Sequence, residues 1–314
     1  MATATVTPEP TQAQTPVHNI FDSALQLVIT RGWPPQTKTI KHTVIQSSAD
    51  PKMVSSVKKL FDSAELRAII RNEERLDEYL KWQATPFPMR RGHHLIPVDL
   101  YNKIERKITE HLAQRARLID EFVAVYAKAI TDAQALLGDQ FNVNDYPPAT
   151  QIRNMFYFHY EYLQFTVSEK LKEIDKAVYE RKQEEWQGTM RQAGRAAESL
   201  LTVQFKELID HLNEKLAPTG ETNADGSEKK KKLHDSMLDR IQEFLGNLPS
   251  RNLTNNDQIK AFASQAEVLL KDVTPAKIKE NDGLKKQLSD GFSTLKSTLD
   301  KFVVEQGTRS ITFD

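Results

Sequence analysis

The chain has 314 residues, 43 Lys plus Arg against 43 Asp plus Glu, and no cysteine. A zero net charge leaves no global field to steer it to nucleic acid or an anionic membrane, and the missing thiols exclude disulfides, thiolate metal sites and a cysteine nucleophile. Eleven glycines, about half the usual share, disfavour turn-rich β architectures and glycine-lined phosphate sites.

Residues 1–18 are rich in Ala, Thr, Gln and Pro and lack both a basic n-region and an apolar h-region. That composition reads as a disordered tail and not as a secretory signal. No stretch approaches 18 consecutive apolar residues, so no membrane span is expected and a cytoplasmic location is the default. Ile20, Phe21, Leu25, Leu27 and Val28 form a short apolar stretch that ends at Arg31-Gly32-Trp33-Pro34-Pro35. The β-branched run from Thr39 to Ile45 is the best strand candidate, though one strand needs a partner. From Pro51, the residues Met53, Val54, Val57, Leu60 and Phe61 recur at helical spacing. Leu66, Ile69, Ile70, Leu76, Tyr79 and Leu80 follow Ser63, a candidate N-cap. Pro86, Pro88, Gly92 and Pro97 then predict a loop of about a dozen residues.

Two long helices come next. Val98 to Leu137 contains neither Pro nor Gly, and Gly138 stands where a C-terminal capping glycine belongs. Its stripe runs Leu100, Ile104, Ile108, Leu112, Leu118, Phe122, Tyr126, Ala129, Ala133 and Leu136, with a heptad seam at the end. The second helix is expected from about Ser168 to Leu216, striped by Leu171, Ile174, Val178, Trp186, Met190, Ala193, Ala197, Leu200, Phe205, Leu208 and Leu212. Glu180 to Glu185 is wholly polar and interrupts that seam. At 1.5 Å per residue the two helices would measure roughly 60 and 70 Å, against about 50 Å for a compact globule of this length. An elongated shape is therefore predicted. Residues 217–232 read as a flexible linker. Three shorter helices follow, over about 233–248, 255–271 and 275–304, each with an apolar stripe that only another helix can bury.

Met89-Arg90-Arg91-Gly92-His93-His94 is the most concentrated basic segment. Arg90 and Arg91 suit bidentate contacts with carboxylate or phosphate, and with His93 and His94 they form the candidate partner-binding loop; the plainer reading is a solvated loop. Adjacent histidines cannot easily share one metal. The aromatic cluster Phe156, Tyr157, Phe158, Tyr160, Tyr162 and Phe165 could stack bases beside Arg153, yet core or interface packing explains it better. The stretch 221–232 imitates a calcium loop but puts Lys232 where the bidentate Glu belongs. Lys229 to Lys232 reads mainly as a solubilising run. Phosphate-loop, dinucleotide, zinc-protease and nucleophile-elbow motifs do not occur. No catalytic residue, metal site or cofactor is implied.

The order of features over about 51–166 resembles a bacterial and phage group known as domain of unknown function 3150. The matching pieces are Val57-Lys58-Lys59-Leu60, then Tyr79-Leu80, Thr85-Pro86-Phe87-Pro88, Gly92 and Leu95-Ile96-Pro97. The helix carrying Phe122 and Tyr126 follows, and then Tyr146-Pro147-Pro148, Ile152-Arg153 and Phe156-Tyr157-Phe158. Members are helix-rich and often encoded beside MoxR-type AAA+ ATPases and von Willebrand factor A proteins. The resemblance implies a partner or adaptor for such a module, in a bacterial cell or phage-infected host, and carries no site residues.

The expected architecture is all-α with at most a minor strand pair near the N-terminus. It is built on an elongated antiparallel long-helix hairpin or coiled coil. Its parts are a tail (1–18), an N-terminal mixed subdomain (19–97), the hairpin (98–216), the linker (217–232) and a C-terminal helical segment (233–314). The expected function is non-enzymatic protein–protein interaction, with an AAA+ ATPase or von Willebrand factor A protein as partner. The seams leave room for a homo-oligomer. The second reading is nucleic-acid binding through residues 153–165 and the 229–232 lysines.

Overall fold

The computed structural model describes residues 20, 23–40, 56–87, 92–164, 166–217 and 235–305. Within them the chain is mostly helical, with a small antiparallel sheet. The whole expected tail, most of the expected linker, the 229–232 lysines, Arg90, Arg91, Phe165 and the residues from 41 to 55 lie outside the described residues.

The sheet is larger than a strand pair. The first apolar stretch forms β1 (Ala24–Arg31). A separate two-stranded ribbon joins β2 (Thr37–Ile40) to β3 (Ser56–Lys59). In β3 Ser56 and Lys58 are buried while Val57 is exposed, an alternation of two where helical spacing was expected. The expected loop holds β4 (Thr85–Pro86) and β5 (His93–Pro97), and β6 (Phe158–Leu163) completes the main sheet in the order β4-β5-β1-β6. Of the prolines that suggested a loop, Pro86 falls on the edge strand and Pro97 at the end of β5, where no central ladder bond is lost, and Pro88 lies outside the described residues.

Helices cover both faces of this sheet. Ser63 caps α1 (Ala64–Gln83) by accepting the Leu66 N–H at 3.0 Å. After a single 3-10 turn over 98–100 comes α2 (Tyr101–Leu137), stopped by Gly138 at φ +54°, a conformation other residues enter only under strain. Leu76 and Leu80 of α1 and Ile104 and Ile108 of α2 close over Leu27, Ile29 and Ile96. On the opposite face Met190 and Ala193 pack against Ala24, Phe87 and Leu95.

The expected second long helix is interrupted. The chain forms a short α3 (Ala149–Met155), then β6, then α4 (Glu169–Ile174), and turns at Asp175 before α5 (Lys176–Leu216). Asp175 sits at φ −152° and its carboxylate accepts the Val178 N–H, so the polar residue that ends one helix caps the next. The hairpin of long helices is also replaced. α2 packs along α1, whereas the second half of α5 packs with α6 (Asp235–Arg251), α7 (Asp257–Leu270) and, past the short α8 (Pro275–Glu280), with α9 (Asp282–Glu305). Leu201, Phe205, Leu208 and Leu212 meet Ile241, Phe244, Phe262, Phe292 and Leu299 in this bundle. Each C-terminal stripe is thus buried inside the same chain.

One buried cation ties the bundle to the sheet unit. Arg251 is 1% exposed; it donates to Gln204 Oε1 at 2.5 Å and reaches the Ala84 carbonyl at 3.4 Å. Gln204 in turn donates to the Lys81 carbonyl at 2.9 Å. The guanidinium therefore lies at the C-terminal end of α1, the negative end of the helix dipole. Burial pulls its pKa down to about 10, so it stays charged at neutral pH. Gln204→Ala deprives this cation of its best acceptor, and we expect a loss of about 2–3 kcal/mol in urea denaturation at unchanged m-value. A loss below about 0.5 kcal/mol, the scale of an ordinary surface change, would contradict this role.

Candidate functional site

His93 and His94 occupy neighbouring positions on β5, opposite Val28 and Leu27 of β1. Successive strand residues face opposite sides, so the two imidazoles point away from each other. His93 turns to the α5 side, where its Nδ1 accepts from Gln26 Nε2 at 2.6 Å. His94 turns to the α1–α2 side, near Asp77 and Arg31. Burial pushes its pKa down to about 4, against a partial upward pull from Asp77. It is therefore neutral at physiological pH. The four-residue basic site expected from the sequence is split: two residues lie outside the described part and two are on opposite faces of a sheet.

The described part of the aromatic segment is spent mainly on packing. Phe156 is buried against Phe122 and Trp33. Tyr160 and Tyr162 donate to the two oxygens of Glu105 at 2.7 and 2.6 Å, pinning β6 to α2. Tyr157 is the exposed member among the described residues. Arg153 pairs with Asp120 across α3 and α2.

The densest group of charges is buried between α1, α2 and the sheet. Glu73 Oε1 accepts from Arg115 Nε at 2.5 Å, and its Oε2 lies 3.1 Å from Arg31 Nε and 3.4 Å from His111 Nε2. Asn72 donates to His111 Nδ1 at 3.0 Å, which leaves the ring proton on Nε2, facing Glu73. Arg31 continues to Asp77 through two hydrogen bonds of 2.8 and 2.7 Å. Arg115 donates to the Phe156 and Tyr157 carbonyls at 2.9 and 3.3 Å. The Phe158 ring lies within 5.4 and 5.7 Å of the two guanidinium carbons. Burial pushes the Glu73 carboxyl up, but His111, Arg115 and Arg31 outweigh it and hold it below the usual carboxylate range. Glu73 Oε2, Arg31 Nε and His111 Nε2 are buried without a hydrogen bond and are held by charge attraction at these distances, so the cluster ties α1, α2 and the sheet together. No group of three or more metal-ligating side chains suited to an ion occurs among the described residues.

Among the described residues, two accessible concave surfaces stand out. One is a cleft of about 350 Å³ between α1, α2 and α6, lined by Tyr79, Trp82 and Phe244 and by charged side chains. The other is an open groove of about 470 Å³ between α7 and α9, lined by Val268, Leu269, Gly291, Thr294 and Leu295. A Cβ at Gly291 would stand 2.5 Å from Leu269 Cδ2, so glycine is what allows the two helices to approach there. Val268 is 75% exposed beside buried Leu295. No described helix is long and apolar enough to cross a membrane.

Comparison with protein families, curated proteins and solved structures finds no match.

The neutral His94 makes stability depend on pH. An imidazole whose folded pKa lies near 4 resists the proton that the unfolded chain takes up below about 6.5. Stability is therefore full above that range and falls as the pH drops toward 4. Between pH 7 and pH 5 the loss from this group is about 2 kcal/mol. His94→Gln should remove that part of the slope in urea titrations at the two pH values; an unaltered slope would refute the assignment.

Proposed function

We propose that this chain is a non-enzymatic protein–protein interaction component that presents the α7–α9 groove to a helical segment of its partner. The observation that carries this reading is Val268, exposed next to Leu269 and Leu295 in the open groove where Gly291 lets α7 and α9 approach closely. An apolar groove between two helices is the surface on which an amphipathic helix lays its apolar face. The apolar stripes of α6, α7 and α9 are otherwise consumed inside the bundle, which makes this opening distinct from an unfilled core. An adaptor role toward a MoxR-type AAA+ ATPase or a von Willebrand factor A protein is the specific form of the proposal, and its support is the sequence resemblance alone. Arg90 and Arg91, which precede β5 in the sequence, are the second proposed contact. A cytoplasmic location and the absence of catalysis belong to the same proposal.

The test is affinity purification of the tagged chain from its native cells, read by mass spectrometry. Val268→Glu puts a charge in the groove at an exposed position, so the melting temperature should hold within about 2 °C. An AAA+ ATPase recovered with the unsubstituted chain should be depleted at least about tenfold with the variant. The pair Arg90→Ala and Arg91→Ala should weaken the same capture, again without a change in melting. Recovery of the ATPase undiminished by Val268→Glu would discard the groove as its docking site.

A further inference from the structure

The α1–α2–α6 cleft carries a different chemistry from the docking groove and is independent of it. On α1, Arg75, Tyr79 and Trp82 are spaced four and three residues apart, which sets them on one face. Lys107 of α2 and Arg240 of α6 approach the same cavity. Arg240 is held in place: its guanidinium carbon sits 4.1 Å from the Trp82 ring centroid, and Nη2 donates to Glu78 Oε1 at 2.8 Å. Trp82 Nε1 donates to the same carboxylate oxygen at 2.9 Å. The other acid on the wall, Glu243, is occupied by Lys103 at 2.7 Å and Gln83 at 3.2 Å.

With both lining acids engaged, the cations are in surplus. Arg75 is exposed and has no carboxylate partner among the described residues. Lys107 lies 3.8 Å from Glu110 and 5.6 Å from the Tyr79 ring. Burial is the main cause of the rise in the Tyr79 pKa to about 12, so the phenol is a neutral, half-covered ring. A guanidinium fixed by stacking, two further cations and an aromatic wall around about 350 Å³ match the size and polarity of a small-molecule site at the meeting of two structural units. Arg in particular suits the bidentate recognition of phosphate oxygens.

We propose that this cleft binds a nucleotide-sized organic phosphate. Its phosphate groups lie on Arg75, Lys107 and Arg240, and its planar ring lies against Tyr79. The test is isothermal titration calorimetry of the full chain at low salt, with ADP and inorganic pyrophosphate as probes. Both should bind, ADP more tightly, and both affinities should fall as salt rises. Arg75→Ala combined with Lys107→Ala should weaken both probes by at least about tenfold. The melting temperature of the double variant should change by less than about 2 °C, since Arg75 is exposed and Lys107 only half-buried. Tyr79→Leu should weaken ADP while sparing pyrophosphate. Failure of either probe to bind at low salt, or affinities unaffected by the double substitution, would overturn the phosphate site. Equal affinity for ADP and pyrophosphate would overturn the placement of the ring.

Discussion

The fold depends on one buried carboxylate. Glu73 is 3% exposed and gathers Arg31 from the sheet and both Arg115 and His111 from α2 around a single turn of α1. Removing a carboxylate from water costs several kcal/mol, and an arrangement of this kind persists only when opposing charges and hydrogen bonds offset that cost. The geometry is demanding because Arg115 also has to reach the Phe156 and Tyr157 carbonyls and Arg31 has to reach Asp77. Apolar packing on either side of this layer tolerates sliding by a turn; the charge layer does not. It therefore fixes the register of α1 against α2 and the position of both over β1 and β6.

That register places everything else. With α1 set, its C-terminal turn meets Gln204 and Arg251, so the C-terminal bundle docks at one orientation. Gln83, at the last residue of α1, accepts from Asn247 at 2.8 Å and from Lys103 at 3.3 Å, joining α1, α2 and α6. The aromatic and cationic cleft exists because these three helices converge there. The apolar groove lies farther along the bundle and depends on the α7–α9 crossing at Gly291.

The sequence made the helices with strong punctuation readable, and for physical reasons. Ser63 before an apolar stripe, Gly138 after an uninterrupted one, and the stripes of α6, α7 and α9 each carry their own start, stop or period. Apart from β2, which covers the start of the β-branched run from Thr39, the strands were hidden by composition. His93-His94-Leu95-Ile96-Pro97 has two polar residues and a proline, and Tyr160 and Tyr162 read as plugs until Glu105 is seen to receive both hydroxyls. The α2 stripe was misaligned at its centre: the buried positions there are His111, Arg115 and Ile119, while Leu112 and Leu118 are only half-buried. Apolar periodicity cannot find a stripe whose middle is charged. Long-helix pairing failed for a related reason, because a heptad seam specifies a partner helix without specifying which one. The accessible sites left fainter signals still. Val268 is an apolar residue just off the α7 stripe, and Arg75, Tyr79 and Trp82 share a face, but neither pattern stands out without the opposing helix.

A double-substitution cycle on Glu73 and Arg115, followed by urea denaturation, tests the central claim most directly. Glu73→Met alone strands buried cations and should cost about 3–5 kcal/mol, whereas Glu73→Met with Arg115→Leu should recover at least about 2 kcal/mol of that loss. Additive losses, with no coupling between the two positions, would mean that the buried carboxylate is a passenger in a fold held by its apolar layers.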